Sequence, residues 1–333
     1  MSGLDTFAAG ILGTGRCLPE KILTNQDLER MVDTSDEWII KRTGISERRI
    51  LEEGRPASEL ALEAARQAVS DAGITAEDLG LIIFATITCD YHTPSMACII
   101  QKELGAKNAA AFDLNAACSG FVYGLTVANQ FVAGGLYKYV LVIGCEILTR
   151  VVDWKDRNTC VLFGDGAGAA VIGRVESGYG VLSTHLGADG SMGEAITVPA
   201  FYLTEKDIEK RTGENKKAIW MDGAEVFKFA VKIMASATRK VLEQSAVSIE
   251  DLALIIPHQA NIRIIDGASR QLGIATEKVY ANVHKYGNIS AASIPVALDE
   301  INRAGTLKKG DNIVLVGFGG GLTWASALIR WAK

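Results

Sequence analysis

The chain has 333 residues, of which 48% are hydrophobic and 22% charged, a balance typical of a globular protein with a sizeable core. Its net charge of −5 argues against a nucleic-acid-binding function. No apolar run reaches the roughly 18 residues that span a bilayer, and the N-terminus MSGLDTFAAGILG lacks the basic segment of a signal peptide. We therefore expect a cytoplasmic protein without membrane or nucleic-acid partners.

The first half of the chain is predicted to alternate helices with short buried strands. A helix is predicted from Ser58 to Ala72, with Ser58 as its N-cap and Gly73 at its end, because alanines recur there at helical spacing. Continuous apolar runs at 81–86 and 140–143 predict strands that are covered on both faces of a sheet.

The cysteines are predicted to be free thiols in a reducing compartment, because they form no C-x-x-C pair and no zinc-ligand spacing. Cys118 stands apart, since its segment NAACSG follows an apolar stretch and precedes a helix of small residues. A thiol at a helix N-terminus ionises more easily than a free thiol, which favours a reactive Cys118. The alternative is that Cys118 is an inert buried thiol. The others are interpreted as small buried apolar residues, namely Cys17, Cys89, Cys98, Cys145 and Cys160.

The second half repeats the order of the first. The segment EDLGLII at 77–83 returns as EDLALII at 250–256, 173 residues later (250 − 77), and VLV recurs after 174 residues (314 − 140). A helix is predicted at 223–244, and strands at 252–256 and 313–316. The two copies predict a duplicated α/β unit in which two sheets enclose a layer of helices.

The predicted domains are therefore two similar halves, residues 1–175 and residues 176–333. The segment Leu203–Lys217 is dense in charge and interrupts the second half. We interpret it as a solvated excursion at the surface rather than a site.

Two polar residues of the second half are candidates for chemistry. His258 directly follows a predicted strand, where catalytic side chains of α/β proteins often lie, but it can equally be a core histidine. Asn288, in the segment GNIS, is suited to capping a helix. It lies 173 residues after Asn115 (288 − 115), so two equivalent helices could bring Asn288 close to Cys118 at a pseudo-twofold axis.

The glycines of Gly317–Gly321 do not follow the G-x-G-x-x-G spacing, and the residues after them predict a strand rather than a helix. A dinucleotide-binding loop is therefore unfavoured. Glycines at this position are better explained by close approach of the backbone to a ligand, with N–H groups available to an oxyanion.

Taken together, these motifs resemble those of the β-ketoacyl-acyl carrier protein synthase III family, within the thiolase-like superfamily. The resemblance implies an α/β fold of five layers (αβαβα), a homodimer and a catalytic triad of Cys118, His258 and Asn288. It also implies an oxyanion hole formed by the amides of Cys118 and Gly320. The matching segments are NAACSGF at 115–121, FGDGAGA at 163–169, PHQAN at 257–261, GNISAASIP at 287–295 and GFGGGLTWA at 317–325.

The resemblance further implies a condensing acyltransferase that initiates fatty acid synthesis. An acyl group would pass from acyl-coenzyme A to Cys118, and condensation with decarboxylated malonyl-acyl carrier protein would give a 3-oxoacyl-acyl carrier protein and CO2. His258 and Asn288 would donate hydrogen bonds to the enolate oxygen. His284 is a rival for the second donor, because other condensing enzymes pair two histidines. No metal and no other cofactor is expected, since both thioesters are substrates.

Less specific matches suggest where the two partners, acyl-coenzyme A and acyl carrier protein, would bind. By the same resemblance, Thr93 would line the acyl pocket near the dimer interface. Basic residues recur on single helical faces, at Lys228, Lys232 and Arg239 and again at Arg263 and Arg270. The resemblance selects Lys228, Arg263 and Arg270 for carrier protein docking, and Trp38, Arg42 and Arg157 for coenzyme A binding.

Three other functions remain open to the sequence. One is a related thiolase-like enzyme of a polyketide, quinolone or olefin pathway, including a transferase that stops after acyl transfer. Another is a non-catalytic partner subunit, although such a subunit has no physical need for Cys118, His258 and Asn288 together. An NAD-dependent oxidoreductase is disfavoured by the glycine spacing. The length and branching of the primer acyl chain are not determined by these motifs.

Overall fold

The structure is a computed structural model, and it describes residues 7–211 and 213–333. Residues 1–6, which begin the segment inspected for a signal peptide, lie outside the described residues. So does residue 212, within the charged segment 203–217. Within the described part of the chain, no helix combines the length and apolar character needed to cross a membrane.

The strands are short and most of them are buried. They are β1 Ala9–Cys17, β2 Ile22–Thr24, β3 Glu47–Arg49, β4 Leu81–Ala85, β5 Ala110–Leu114, β6 Tyr139–Ile147, β7 Asp165–Arg174, β8 Gly180–Ala188, β9 Ile196–Thr197, β10 Trp220–Met221, β11 Leu252–Pro257, β12 Asn312–Gly319 and β13 Thr323–Arg330.

The helices connect these strands. They are α1 Asn25–Glu29, α2 Asp36–Thr43, α3 Ala57–Asp71, α4 Met96–Leu104, α5 Gly120–Ala133, α6 Glu205–Lys210, α7 Gly223–Ser245, α8 Ile262–Leu272, α9 Val283–Tyr286 and α10 Ser293–Arg303.

Two main sheets organise the fold. The five-stranded sheet has the order β1-β7-β6-β4-β5, and the four-stranded sheet has the order β11-β12-β13-β8. Strands β4 and β6 pair in parallel in the first sheet, as β11 and β12 do in the second. These are the strands of the internal repeat, so the duplication predicted from the sequence is present as two equivalent parallel pairs.

Helices α5 and α10 lie between the two sheets. Leu125 of α5 and Leu298 of α10 share one buried core with Val142 of β6 and Leu315 of β12. Helices α3 and α4 cover the outer face of the first sheet, and α7 and α8 cover the outer face of the second. The order helix, sheet, helix, sheet, helix confirms the predicted five-layer αβαβα sandwich.

The strands of the five-stranded sheet all lie within residues 9–174, and those of the four-stranded sheet within residues 180–330. The turn between β7 and β8 therefore separates the two sheets. A division of the chain into domains 1–175 and 176–333 stays a prediction that this arrangement accommodates.

Two local predictions are wrong. Ser58 does not cap α3, because it lies inside the first turn. The carboxylate of Asp90 accepts hydrogen bonds from the amides of Ala57 and Ser58 instead, at 2.7 and 2.9 Å. All six cysteines are free as expected, but Cys98 is exposed on the outward side of α4, so its interpretation as a buried apolar residue fails.

Candidate active site

Cys118, His258 and Asn288 line one cavity of about 1600 Å³. Cys118 lies in the 3-10 turn Ala117–Ser119 before α5, His258 directly follows β11, and Asn288 precedes the 3-10 turn Ser290–Ala292 before α10. The two turns contact each other between the sheets. The duplicated fold therefore brings residues from distant parts of the chain to one site, as predicted from the repeat.

The backbone at Cys118 is tightly confined. Ala117 adopts a left-handed conformation with φ of 45°, which is uncommon for a residue with a side chain. On the opposite side, a Cβ atom at Gly319 of β12 would lie only 2.5 Å from the amide nitrogen of Cys118. Glycine is required there because the two backbones approach so closely. Gly320 follows and lines the cavity, and its role as an oxyanion donor stays a prediction.

The environment of Cys118 does not favour a free thiolate. Burial raises the pKa of this thiol to about 12, with a further increase from the Glu146 carboxylate, whereas a hydrogen bond with Ser290 lowers it. Cys118 itself is half-buried and lies in the turn that leads directly into α5, which begins at Gly120. Burial and the helix N-terminus act on the thiol in opposite directions, so easy ionisation of Cys118 stays a prediction.

His258 is buried, and its ring orientation is fixed. Nδ1 lies 2.7 Å from the hydroxyl of Ser293, which accepts a hydrogen bond from the amide of Gln259 at 3.4 Å. The hydroxyl proton of Ser293 is thus available to Nδ1, and we assign the remaining ring proton to Nε2. Burial lowers the pKa of His258 to about 3, so the ring is neutral near pH 7.

The two ends of the Asn288 carboxamide have different roles. The oxygen stabilises the local turn, and the nitrogen, Nδ2, remains available as a hydrogen-bond donor. Its Oδ1 accepts a hydrogen bond from the amide of Ser290 at 2.9 Å, and its main-chain amide donates to Leu162 at 2.8 Å. Its carbonyl accepts from Gly164 at 3.0 Å. The turn-stabilising role and the donor role are therefore compatible, and Gly164 of the FGDGAGA segment helps to hold Asn288 in place.

Neither His284 nor Thr93 lines the cavity. His284 is exposed, and its carbonyl accepts a hydrogen bond from the amide of Ser46, which removes it as a rival for Asn288. Thr93 is also exposed, and within this chain the neighbouring His92 forms the cavity wall instead. The structure of one chain therefore does not bring Thr93 to the site.

Of the residues predicted to bind coenzyme A, Trp38 and Arg42 line the cavity, and Arg157 lies against Trp38. The guanidinium groups of Arg42 and Arg157 lie over the Trp38 ring, at 5.0 and 5.3 Å from its centroid. Arg157 also donates to the Asp33 carbonyl at 2.6 Å. A purine stacked between two planes needs roughly 7 Å between them. The separation of Arg157 and Trp38 is therefore too small for a ring stacked between them.

The basic residues predicted to bind a carrier protein are divided between two places. Lys228 of α7 and Arg263 of α8 line the mouth, where the Arg263 guanidinium lies 5.7 Å from the Phe227 ring centroid. Lys228 is paired with Glu225 at 2.8 Å. Arg270 is exposed near the end of α8 and does not line the cavity.

The prediction that segment 203–217 is no more than a surface excursion is wrong. Lys210, Arg211 and Asn215 line the cavity. The Arg211 side chain is buried. Its guanidinium donates to the Asp207 carboxylate at 3.0 Å and to the Thr197 hydroxyl at 2.6 Å. The dense charge of this segment led us to expect that it is exposed to solvent. Instead, some of its charged side chains pair with one another and line one side of the cavity.

Sequence reasoning also missed several polar residues of the site. Asn261 caps α8 and donates to the carbonyl of Arg42 at 3.0 Å, which joins the two sides of the mouth. Ser290 lines the same cavity as Cys118 and lowers the pKa of its thiol. In the internal repeat, Ser290 corresponds to Ala117 (290 − 173), which directly precedes Cys118. This correspondence could have been used to predict that Ser290 lies near the nucleophile. In the described part of the chain, no group of three His, Cys, Asp or Glu residues could hold a metal ion.

The five-layer duplicated fold, with a thiol, an imidazole and a carboxamide in one cavity, defines a thiolase-like condensing enzyme. Two family profiles agree: 3-oxoacyl-[acyl-carrier-protein] synthase III matches residues 112–190, and the C-terminal part of the same synthase matches residues 242–331. The β-ketoacyl-[acyl-carrier-protein] synthase III of Caldanaerobacter subterraneus subsp. tengcongensis is 58% identical over 329 residues, 99% of both chains.

Solved structures show the same relationship. The 3-oxoacyl-[acyl-carrier-protein] synthase III of Aquifex aeolicus is 48% identical, with a TM-score of 0.90 over 97% of this chain and 100% of that one. The priming β-ketosynthase of the R1128 polyketide pathway is 34% identical, with a TM-score of 0.93 over 100% and 99%. The chain belongs to the β-ketoacyl-acyl carrier protein synthase III family, and it is a condensing acyltransferase that initiates fatty acid synthesis.

Proposed function

We propose that the chain transfers an acyl group from acyl-coenzyme A to the Sγ atom of Cys118 and condenses it with malonyl-acyl carrier protein. The products are coenzyme A, a 3-oxoacyl-acyl carrier protein and CO2. One observation supports this proposal most strongly: Cys118, His258 and Asn288 line one cavity. Nδ1 of His258 and Oδ1 of Asn288 are already hydrogen-bonded within the protein. This leaves Nε2 and Nδ2 free to face a substrate.

In the first half-reaction, Sγ attacks the thioester carbonyl and coenzyme A leaves. The amides of Cys118 and Gly320 are our proposed donors to the tetrahedral oxyanion. The close contact between Gly319 and Cys118 supports this, because it fixes the two amides relative to each other. Preorganised donors need no reorientation during the reaction, and each contributes roughly 3–4 kcal/mol in comparable sites.

In the second half-reaction, loss of CO2 from the malonyl group leaves an enolate. His258 and Asn288 are proposed to donate to its oxygen, and the carbanion then attacks the acyl group on Cys118. A neutral imidazole suits this role, because its Nε2 proton is not lost to solvent in the way an imidazolium proton is. The depressed pKa of His258 keeps the ring neutral across the physiological range.

Trp38, Arg42 and Arg157 are proposed to hold the nucleotide end of coenzyme A. Their mutual stacking at the mouth supports a site at which a planar base and phosphates are bound. Lys228, Arg263 and Arg270 are proposed to contact the acidic carrier protein. Two of these three cations lie beside the mouth through which a carrier-bound malonyl group would enter.

Three further features are part of the proposal and rest on the family relationship. The enzyme is proposed to be a cytoplasmic homodimer, and the acyl pocket would be completed near Thr93 at the dimer interface. No metal or other cofactor is proposed, because a thiol, two oxyanion amides and two enolate donors account for every step. The sequence and cavity do not specify the primer.

Incubation with a panel of acyl-coenzyme A thioesters, followed by intact protein mass, tests the acyl transfer. We expect one acyl group per chain in the native protein and none in Cys118→Ala. Analysis of the product formed with malonyl-acyl carrier protein then tests the condensation. An enzyme that loads acyl groups but releases no 3-oxoacyl-acyl carrier protein would instead be a transferase of a related pathway.

The similarity to a polyketide priming ketosynthase makes a specialised pathway the second candidate. The two functions differ in the fate of the product rather than in the chemistry at Cys118. Supplying the condensation product to a purified fatty acid elongation system would separate them. Efficient elongation of the product supports fatty acid synthesis, and rejection of the product favours the second candidate.

A further inference from the structure

Thr323 carries a hydroxyl group that the reaction described above does not use, although the residue lines the active-site cavity. It begins β13, after the glycine-rich turn that leads out of β12, and it is paired in register with Gly319. Its Oγ1 lies 3.0 Å from the carbonyl oxygen of Ala116, 3.2 Å from that of Gly320 and 2.8 Å from Oγ of Ser119. One hydroxyl thus contacts polar groups from two separate parts of the chain.

The first of these parts is the turn that contains the nucleophile. The carbonyl of Ala116 accepts hydrogen bonds from the amide of Ser119 at 3.2 Å and from its hydroxyl at 2.7 Å. These bonds close the turn around Ala117 and Cys118, in which Ala117 has the left-handed φ of 45°. Such a φ is disfavoured for a residue with a side chain, so the turn depends on its hydrogen bonds to keep its shape. The shape of this turn sets the direction of the Cys118 amide.

The second part is the turn between β12 and β13, which contains Gly320. The hydrogen bond from the Thr323 hydroxyl to the Gly320 carbonyl closes this turn from within. On its other side, the amide of Leu322 donates to the carbonyl of Asp189 at 3.0 Å, and the amide of Asp189 donates back at 2.8 Å. The turn is therefore anchored to the residue that follows β8 and, through Thr323, to the turn of Cys118.

Two hydroxyl protons serve this cluster, and one of them must lie between the two oxygens that are 2.8 Å apart. In one arrangement, Thr323 donates to Ser119, which donates to the Ala116 carbonyl. In the other, Ser119 donates to Thr323, whose proton is directed at the carbonyls of Ala116 and Gly320. Thr323 joins the two turns in both arrangements. Ser119 is fully buried, so an unpaired hydroxyl at this place would be unfavourable.

Backbone contact alone does not fix the two turns relative to each other. The close approach of Gly319 to the Cys118 amide limits how near they come. Such a contact resists further approach, but it resists neither separation nor sliding. Hydrogen bonds resist both, because they weaken when they are stretched or bent. The Thr323 hydroxyl therefore supplies the restraint that the backbone contact lacks.

We propose that Thr323 is a positioning residue of the oxyanion hole, whose hydroxyl, together with that of Ser119, fixes the amide of Cys118 relative to the amide of Gly320. This inference rests on the proposed function, in which these two amides bind the oxyanion of acyl loading. An oxyanion donor works only within about 2.7–3.1 Å of the oxygen, so a small displacement of either turn weakens the hole. The role requires no proton transfer by Thr323.

The test is the rate of acyl loading in Thr323→Val, measured against acyl-coenzyme A concentration by rapid quenching and intact protein mass. Valine keeps the branched shape, but its methyl group needs roughly 3.5 Å where the hydroxyl oxygen now lies at 2.8 to 3.2 Å from its partners. We expect the maximal rate to fall about 10- to 100-fold, because the two amides are displaced but not removed. The KM for acyl-coenzyme A should stay within about threefold of native.

A second readout separates positioning from a merely structural role. Release of CO2 from malonyl-acyl carrier protein, without acyl-coenzyme A, uses the proposed enolate donors His258 and Asn288 rather than the two amides. We expect this rate to stay within about threefold of native in Thr323→Val. A structural role would instead lower both half-reactions together with the thermal unfolding temperature.

Two threonine variants serve as controls. Thr323→Ser keeps the hydroxyl and should load within about threefold of native. Thr126 is buried in α5, the helix that follows Cys118, and its hydroxyl donates to the carbonyl of Val122 at 2.8 Å. Thr126→Val therefore makes the same substitution at a similar hydrogen bond outside the cluster, and its loading rate should also stay within about threefold of native.

Ser119→Ala removes the neighbouring hydroxyl and leaves Thr323 in place. It should slow acyl loading while CO2 release stays at the native rate. Because the two hydroxyls form one link, the double variant should lose less than the product of the two single losses. Should Thr323→Val fail to fold, Ser119→Ala decides the question alone.

A native loading rate in folded Thr323→Val would overturn the proposal. Equal losses of loading and CO2 release would do the same, as would a loss in Thr323→Ser as large as that in Thr323→Val. Failure of the proposed function looks different, because the native protein itself would gain no acyl mass.

Discussion

Gly319 packs against the backbone of Cys118, and its replacement by alanine is a direct test of the oxyanion hole. The added Cβ would lie 2.5 Å from the Cys118 amide nitrogen, 3.0 Å from its Cβ and 3.1 Å from the Cβ of Ala117. Ordinary contact between such atoms is roughly 3.5 Å, so the two backbones must separate by about 1 Å. An oxyanion donor works within only about 2.7–3.1 Å of the oxygen, so this shift removes the Cys118 amide from the hole.

Loss of one such donor predicts a fall of about 10²–10³ in the rate of acyl loading, measured by rapid quenching and intact protein mass. Gly320→Ala is the matched control. Its Cβ would be at least 3.6 Å from its neighbours and the N–H is kept, so the loading rate should stay within about threefold of native. Thermal unfolding of both variants verifies that they are folded. Equal loading rates in the two variants would refute the reasoning.

Three further predictions concern the substrates. Trp38→Ala should raise the KM for acyl-coenzyme A about tenfold, through lost stacking worth roughly 1–2 kcal/mol, and a native KM would exclude Trp38 from the nucleotide site. Reversal of Lys228 and Arg263 to Glu should raise the KM for malonyl-acyl carrier protein in a salt-dependent way, with little effect on acyl loading. Lys240→Glu, on the same helix as Lys228, is the control and should leave this KM unchanged. Thr93→Phe should narrow the primer range in the thioester panel, and strict acetyl preference in both proteins would refute a pocket at Thr93.

The internal repeat made the fold predictable, because continuous apolar runs recur at a constant offset. The predicted strands at 81–86 and 252–256 correspond to Leu81–Ala85 and Leu252–Pro257. Burial on both faces produces this pattern directly, since both sides of each sheet are covered by helices. Caps were less predictable. Asp90, which caps α3, is distant in sequence from Ser58, and a cap supplied through the tertiary fold leaves no local signal.

The candidate site was predictable where a residue type carries the chemistry. Cys118, His258 and Asn288 each follow a buried strand or precede a helix, and the repeat brings the two turns together. The burial that raises the pKa of Cys118 was not predictable, because it is produced by side chains that the tertiary fold brings around the thiol.

The central claim is that Cys118 carries the acyl group while Asn288 and His258 stabilise the enolate, and one paired assay on Asn288→Ala tests it most directly. The assay measures CO2 release from malonyl-acyl carrier protein and, on the same sample, acyl loading by protein mass. We expect CO2 release to fall by about 10²–10³ while acyl-Cys118 still forms, because only the enolate donor is lost. Normal CO2 release from a folded Asn288→Ala protein would contradict the account and return Asn288 to the role of a turn-stabilising residue.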